Sequence, residues 1–264
     1  MDMATPSDRS LRGMAWMGCV GDRDLYAWDE TGVRVCWSSS HHPPITPLAS
    51  SVLYGAPLGD AAAEMLDTET FEERLGFSMS SSLIAATPEL LRGLPLDNLP
   101  LEALPSQLIA PPQLLTEIMA AIRAGCRLPI SAHIFVSPDD YGGHGLFAVA
   151  DIPANTLVGE YVGTLLRVTG CSTAGSADPF LMRYPDVSGS LHVSAKETGS
   201  LMRFVNHAEV TDPSNNCRCC ALLIDGAYHT YIATSRRVAA REQLAFDYGA
   251  GYWATLGRGP LAPS

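Results

Sequence analysis

Apolar positions along this chain change their spacing near the middle, and the two halves predict different kinds of structure. In the first half, Leu25-Tyr-Ala-Trp28 and Val33-Arg-Val-Cys-Trp37 bracket Asp29-Glu-Thr-Gly32. β-Branched and aromatic runs on both sides of a glycine-containing turn predict a β-hairpin. Met65, Leu66, Phe71 and Leu75 then fall roughly on one side of a helical wheel. That spacing predicts a helix over 61–75, capped by Asp60 and stopped by Gly76. Thr87-Pro88-Glu89 predicts the start of a short helix that Gly93 ends. Three pentads follow, each with a Leu-Pro step, at Arg92–Leu96, Asp97–Leu101 and Glu102–Ser106. They are too few for a solenoid and their prolines exclude a continuous helix, so they predict a leucine-anchored connector lying on another surface. Gln113–Ala124, with Leu114, Leu115, Ile118 and Ile122 on one face, predicts a further helix.

From Ile130 onward the pattern shortens to strands broken by Gly, Pro and Asp. Ile134–Val136, Leu146–Ala150 and Thr156–Gly163 read as strands, and Ala221–Ile224 with Tyr228–Ala233 as a hairpin around Asp225-Gly226. Between them, Leu201-Met-Arg-Phe-Val-Asn-His207 packs apolar residues, a cation, an amide and an imidazole into one strand end, then breaks into a polar loop to Cys217. A segment that is half core and half polar points to a ligand, because buried polar groups must find partners. Gly143-His144-Gly145 sets two glycines between strands, a spacing that admits close backbone approach. It lacks the third glycine and the following helix of a dinucleotide fingerprint, which excludes that reading.

Composition narrows the partners. With 47% hydrophobic and 17% charged residues, the 264-residue chain describes a globular protein with a substantial core. Its net charge of −11 argues against nucleic-acid binding through phosphate neutralisation and suits a Lys/Arg-rich peptide. Seven cysteines without even pairing, and no secretory or transit signal, read as free thiols in a reducing, intracellular compartment. No apolar run reaches the length needed to span a bilayer, so no membrane partner is expected. His41-His42 lies in a Pro-rich loop whose neighbouring side chains point apart, which disfavours a metal site. In a strand, Cys217 and Cys219 face one way and Cys220 the other, which suits a core better than tetrahedral coordination, so no metal is expected.

Four separated pieces, Gly143-His-Gly-Leu-Phe-Ala148, Glu160-Tyr-Val-Gly163, Arg203-Phe-Val-Asn-His207 and Glu242-Gln-Leu-Ala-Phe-Asp-Tyr-Gly249, resemble the SET-domain protein-lysine methyltransferases in order and spacing. The lead-in Val193-Ser-Ala-Lys-Glu-Thr-Gly199 fits as well. The resemblance implies a mostly β fold of small sheets with a knot-like threaded C-terminus over residues 131–250. It leaves an α+β extension at 1–130 and a short tail without zinc at 251–264. It implies S-adenosyl-L-methionine as cofactor, held by the backbone of Gly143, His144 and Gly145, by Asn206 and His207, and by Arg203, Tyr248 and Trp253. Arg203 could equally form an internal ion pair bracing the motif. The catalytic pair would be Tyr248 and Tyr161, and the lysine channel would be lined by Tyr161, Phe246 and Tyr252. Phe180 stands where many relatives carry a cofactor-contacting tyrosine. Phenylalanine rather than tyrosine at 246 implies room for di- or trimethylation.

The sequence departs from the family in two places. The loop after His207 is longer, Ala208–Asn215, and lacks the usual cysteine, and no cysteine follows Tyr248. An aromatic lid of Tyr252-Trp253 would replace a zinc cluster. The expected activity is methyl transfer to lysine in a basic protein, a histone tail first. The alternatives are a methyltransferase for a specific non-histone protein and a catalytically silent scaffold that binds peptide.

Overall fold

The structure, a computed structural model, describes residues 14–20, 23–28, 32–37, 51–55, 63–81, 83–116, 134–140, 142–168, 178–224 and 226–256. It is mostly β. The largest sheet runs in the order Met14–Val20, Arg23–Trp28, Gly32–Trp37, Ile84–Ala85, Thr164–Arg167, Leu191–Ser194, Leu181–Arg183. The hairpin expected near the N-terminus is present as Arg23–Trp28 antiparallel to Gly32–Trp37. Ile84–Ala85 pairs antiparallel with that hairpin and parallel with Thr164–Leu165, so the two halves of the chain share one sheet. A second sheet orders Glu64–Asp67, Ser51–Tyr54, Ile134–Pro138 and His144–Ala148. A third contains Leu157–Tyr161, Ala227–Thr234 and Cys217–Ile224, the last two forming the expected hairpin with longer arms.

Three N-terminal expectations need correction. Helix α1 covers only Thr68–Leu75, and its cap is Asp67, which accepts the Thr70 N–H at 2.8 Å. Glu64–Asp67 is instead a strand paired with Ser51–Tyr54, with Leu66 buried beside an exposed Met65, a period of two. Gly76 ends the helix in the left-handed conformation, as expected. Asp60 lies outside the described residues. Helix α2 runs Pro88–Asp97, straight through Gly93 and Pro95. Leu94 in its middle is 1% exposed, so tertiary burial outweighs the local helix-breaking tendency. Of the connector, Leu101–Ala103 and Ser106–Leu108 form single 3-10 turns. The helix expected over 113–124 is described only at 112–116, and His41-His42 lies outside the described residues.

The stretch before Asn206 also differs from a simple strand end. Leu201–Phe204 is a 3-10 turn, entered through Ser200, with Leu201, Met202 and Phe204 buried. Phe204 meets Phe71 and Phe77 edge-on at ring separations of 6.2 and 5.6 Å, which fastens α1 to the turn. Burying each such ring contributes roughly 1.5–3 kcal/mol.

After the turn, Asn206–His207 pairs parallel with Ala245–Phe246. The far edge of the same segment is closed by Asn216, whose N–H donates to Ala245 O at 3.0 Å and whose Oδ1 accepts the Ala245 N–H at 3.0 Å. Residues 243–246 therefore pass between the two ends of the loop 206–216, which is the threaded arrangement the resemblance implies. Cys217 and Cys219 belong to the main core and Cys220 to a smaller one with Leu114 and Tyr231, so they do face opposite ways. Burial pushes the Cys217 thiol up to about 12 and that of Cys220 up to about 11.

Candidate active site

The Gly143 turn is built by Asp139, which follows the strand Ile134–Pro138. Its Oδ1 accepts the Gly143 N–H at 2.8 Å, and its own N–H donates to Gly143 O at 3.1 Å. The two glycines serve different ends. A Cβ at Gly145 would lie 2.2 Å from Gln243 Nε2 and 3.0 Å from Phe147, so that position is filled from within the protein. A Cβ at Gly143 would meet nothing nearer than 3.6 Å, leaving its face open. Between them the His144 ring bonds the Tyr54 hydroxyl at 3.2 Å and lies 6.2 Å from Phe204, tying the turn to the N-terminal strand.

Asn206 joins this turn across the fold. Its Nδ2 donates to Asp139 Oδ2 at 2.7 Å and stands 3.3 Å from His144 O. Backbone bonds from Asn206 to Leu244 and from Ala208 to Phe246 leave the His207 backbone directed out of the other edge of the pair. His207 Nδ1 accepts the Tyr248 N–H at 3.2 Å, so its proton sits on Nε2. That Nε2 and the Trp253 Nε1 are buried without a hydrogen-bond partner.

Helix α3, Ala250–Leu256, carries the aromatic pair over Tyr248. Tyr248 lies 4.7 Å from Tyr252 and 5.1 Å from Phe246, and stacks 6.2 Å from Trp253 at 20°. Trp253 reaches His207 at 4.9 Å. The Tyr248 hydroxyl donates to Val205 O and that of Tyr161 to Phe180 O, each at 2.7 Å. Tyr252 donates to Pro179 O at 2.8 Å. Burial pushes both the Tyr248 and Tyr161 phenols far up, so each stays a neutral O–H. With its proton committed to a carbonyl, each oxygen offers lone pairs to an incoming N–H.

Arg203 forms no ion pair among the described residues. Its guanidinium lies 4.1 Å from the Phe77 ring and 4.0 Å from the Phe180 ring, and donates to Lys196 O at 3.1 Å. Burial lowers its pKa to about 10, which leaves it charged at neutral pH. Phe180 packs on Arg203 and lends its carbonyl to Tyr161.

The structure brings Gly143, His144, Asn206, His207, Tyr248 and Trp253 to one region, with Tyr161, Phe246 and Tyr252 adjoining. Sequence reading missed three supporting residues. Asp139 and Tyr54 lie outside any motif and carry no local signal. Asn216 is the 0% exposed residue of the Asn215-Asn216 pair, and only the fold shows which of the two is structural. Asn215 instead donates to Ala208 O and helps shape the longer loop, which Arg236 braces through Pro213 O, Asn215 O and Glu242.

Among the described residues, Asn206 Oδ1 takes no hydrogen bond, His207 Nε2 and Trp253 Nε1 are buried without partners, and Gly143 keeps an open face, all close to the aromatic cluster of Tyr248, Tyr252 and Trp253. These groups fit the amino-acid and adenine ends of S-adenosylmethionine.

Comparison with known proteins points the same way. Residues 143–249 match the SET domain family. The chain is 33% identical over 111 residues to the histone-lysine N-methyltransferase, H3 lysine-4 specific, of Yarrowia lipolytica, covering 39% of this chain and 9% of that protein. It is 28% identical over 116 residues to the N-lysine methyltransferase KMT5A-A of Xenopus laevis, covering 40% and 33%. The chain therefore spans well under half the length of these relatives. The structure of the ATXR5 SET domain in complex with histone H3 di-methylated on R26 superposes over 69% of this chain and 85% of that one, at a TM-score of 0.50 and 18% identity, which shows a shared fold. Residues 143–249 of this chain are a SET domain.

Proposed function

We propose that the protein transfers a methyl group from S-adenosylmethionine to the ε-amine of lysine in a basic protein, histone tails being the first candidates. The observation that carries this reading is the pair of buried neutral phenols Tyr161 and Tyr248, each with its proton already committed, bridged by Tyr252, which lies against Tyr248 and bonds Pro179 O beside the Phe180 carbonyl that holds Tyr161. S-adenosylmethionine supplies an electrophilic methyl group on a sulfonium. The chain supplies position. Tyr248 and Tyr161 accept N–H bonds from the amine and aim its lone pair, while Phe246, Tyr252 and Trp253 exclude water around it. Bringing lysine from pKa ~10.4 to a neutral amine at pH 7 costs roughly 4–5 kcal/mol. An apolar channel lowers that pKa and so offsets part of the cost. Neither tyrosine acts as a base, since burial keeps both protonated. Alignment of reacting atoms supplies the rest, an effect of up to about 7–11 kcal/mol.

The net charge of −11 favours a basic substrate, and the relatives named for histone lysines support a histone. The experiment is to incubate the protein with radiolabelled S-adenosylmethionine and either core histones or a cell lysate. Label on histones supports the reading, label on a single other band points to a dedicated non-histone substrate, and cofactor binding without transfer to anything contradicts catalysis.

A further inference from the structure

We infer that Asp139 is a positioning residue that fixes the amide of Asn206, so that Asn206 Oδ1 receives the α-ammonium group of the methyl donor; this rests on the methyl-transfer reading above. The Asp139 carboxylate is held in place by the Gly143 N–H on Oδ1 at 2.8 Å. Its Oδ2 lies 2.7 Å from Asn206 Nδ2, and His144 O lies 3.3 Å from the same nitrogen. A carboxylate and a carbonyl only accept, so the amide nitrogen alone can face them, and both of its protons are engaged. Oδ1 must then point the other way, and it takes no hydrogen bond from any described residue. An open carbonyl acceptor next to a fixed negative charge suits a group with several N–H donors and no acceptor, which is an ammonium. The same charge repels a carboxylate. Of the two charged ends of an amino acid, the ammonium is the one that belongs here. The open face of Gly143 leaves room for it.

The test measures binding by calorimetry on the full chain, with S-adenosylmethionine, S-adenosylhomocysteine and 5′-methylthioadenosine, which lacks the amino-acid part. Asp139→Asn keeps size and the Gly143 bond but turns an N–H toward Asn206. The Asn206 amide then inverts and presents its own N–H groups to the ammonium. Affinity for the first two ligands should fall about tenfold or more, while methylthioadenosine changes by less than about twofold. The exchanged pair Asp139→Asn with Asn206→Asp restores an acceptor on the ligand side and should recover most of the loss. Asn206→Ala removes the same acceptor without touching the Asp139–Gly143 bond and should show the same selective loss, which keeps the test open if Asp139→Asn folds poorly. No loss, an equal loss for all three ligands, or no recovery in the exchanged pair would overturn the inference. A wild type that binds none of the three overturns the cofactor reading itself, and this inference with it, a result distinct from unselective variants of a binding wild type.

Discussion

The Asn216 amide closes the threaded segment from a fully buried position, donating to Gln243 O at 2.7 Å and Glu242 Oε1 at 3.1 Å and accepting from Ala245 N–H at 3.0 Å. Asn216→Ala strands a buried backbone donor and acceptor together, at a cost of roughly 2–4 kcal/mol. Denaturant titration should show that loss, whereas Asn215→Ala, on the half-exposed neighbour, should cost under about 1 kcal/mol. At His144, burial holds the imidazole below its usual 6.5, with Arg203 adding to the effect and Asp139 opposing it. The fold thus favours neutral His144, and just below 6.5 the unfolded chain binds more protons. This contribution is complete above the ordinary value and is lost as pH falls through the lower folded one. The thermal midpoint of the wild type should therefore drop more between about pH 7.5 and 5.5 than that of His144→Gln. Phe246, buried against Tyr248, carries no hydroxyl to crowd a growing methylammonium. Mass spectrometry of a fully reacted peptide should find di- or trimethyllysine, and Phe246→Tyr should shift the product toward monomethyl.

At the scale of elements, the Gly143–Gly145 turn separates a folding requirement from a binding one. Gly145→Ala drives a Cβ into Gln243 and Phe147 and should lower the thermal midpoint. Gly143→Ala meets no close neighbour, so stability should hold while S-adenosylmethionine binding weakens. Equal effects on stability would contradict this division. The elements that sequence reading recovered are those with strong local signals: the Arg23–Trp37 hairpin, the Gly76 stop and the paired arms Cys217–Ile224 and Ala227–Thr234. It lost those decided by distant partners. Met65 and Leu66 fit a helical wheel as well as a strand, and pairing with Ser51–Tyr54 settled the matter. Gly93 and Pro95 read as stops, yet burial of Leu94 carried the helix through them.

For the molecule as a whole, the C-terminal motifs were legible because their residues are named by chemistry as well as by spacing. The frame around them was not legible. Nothing local in residues 51–85 shows that Tyr54 would bond His144, that Phe77 would stack on Arg203, or that Ile84–Ala85 would join both halves in one sheet. Such contacts are long in sequence and made by ordinary side chains, so no window of residues contains them. They also link the N-terminal half to the region that holds Tyr161 and Arg203. The measurement that bears most directly on methyl transfer to lysine compares wild type with Tyr248→Phe for binding and for transfer of labelled methyl to core histones, with hydrolysis to identify the labelled residue. The wild type should place label on methylated lysine. In Tyr248→Phe, transfer should fall about a hundredfold or more with nearly unchanged cofactor affinity. Label on a residue other than lysine, or undiminished transfer by Tyr248→Phe, would contradict lysine methylation positioned by Tyr248.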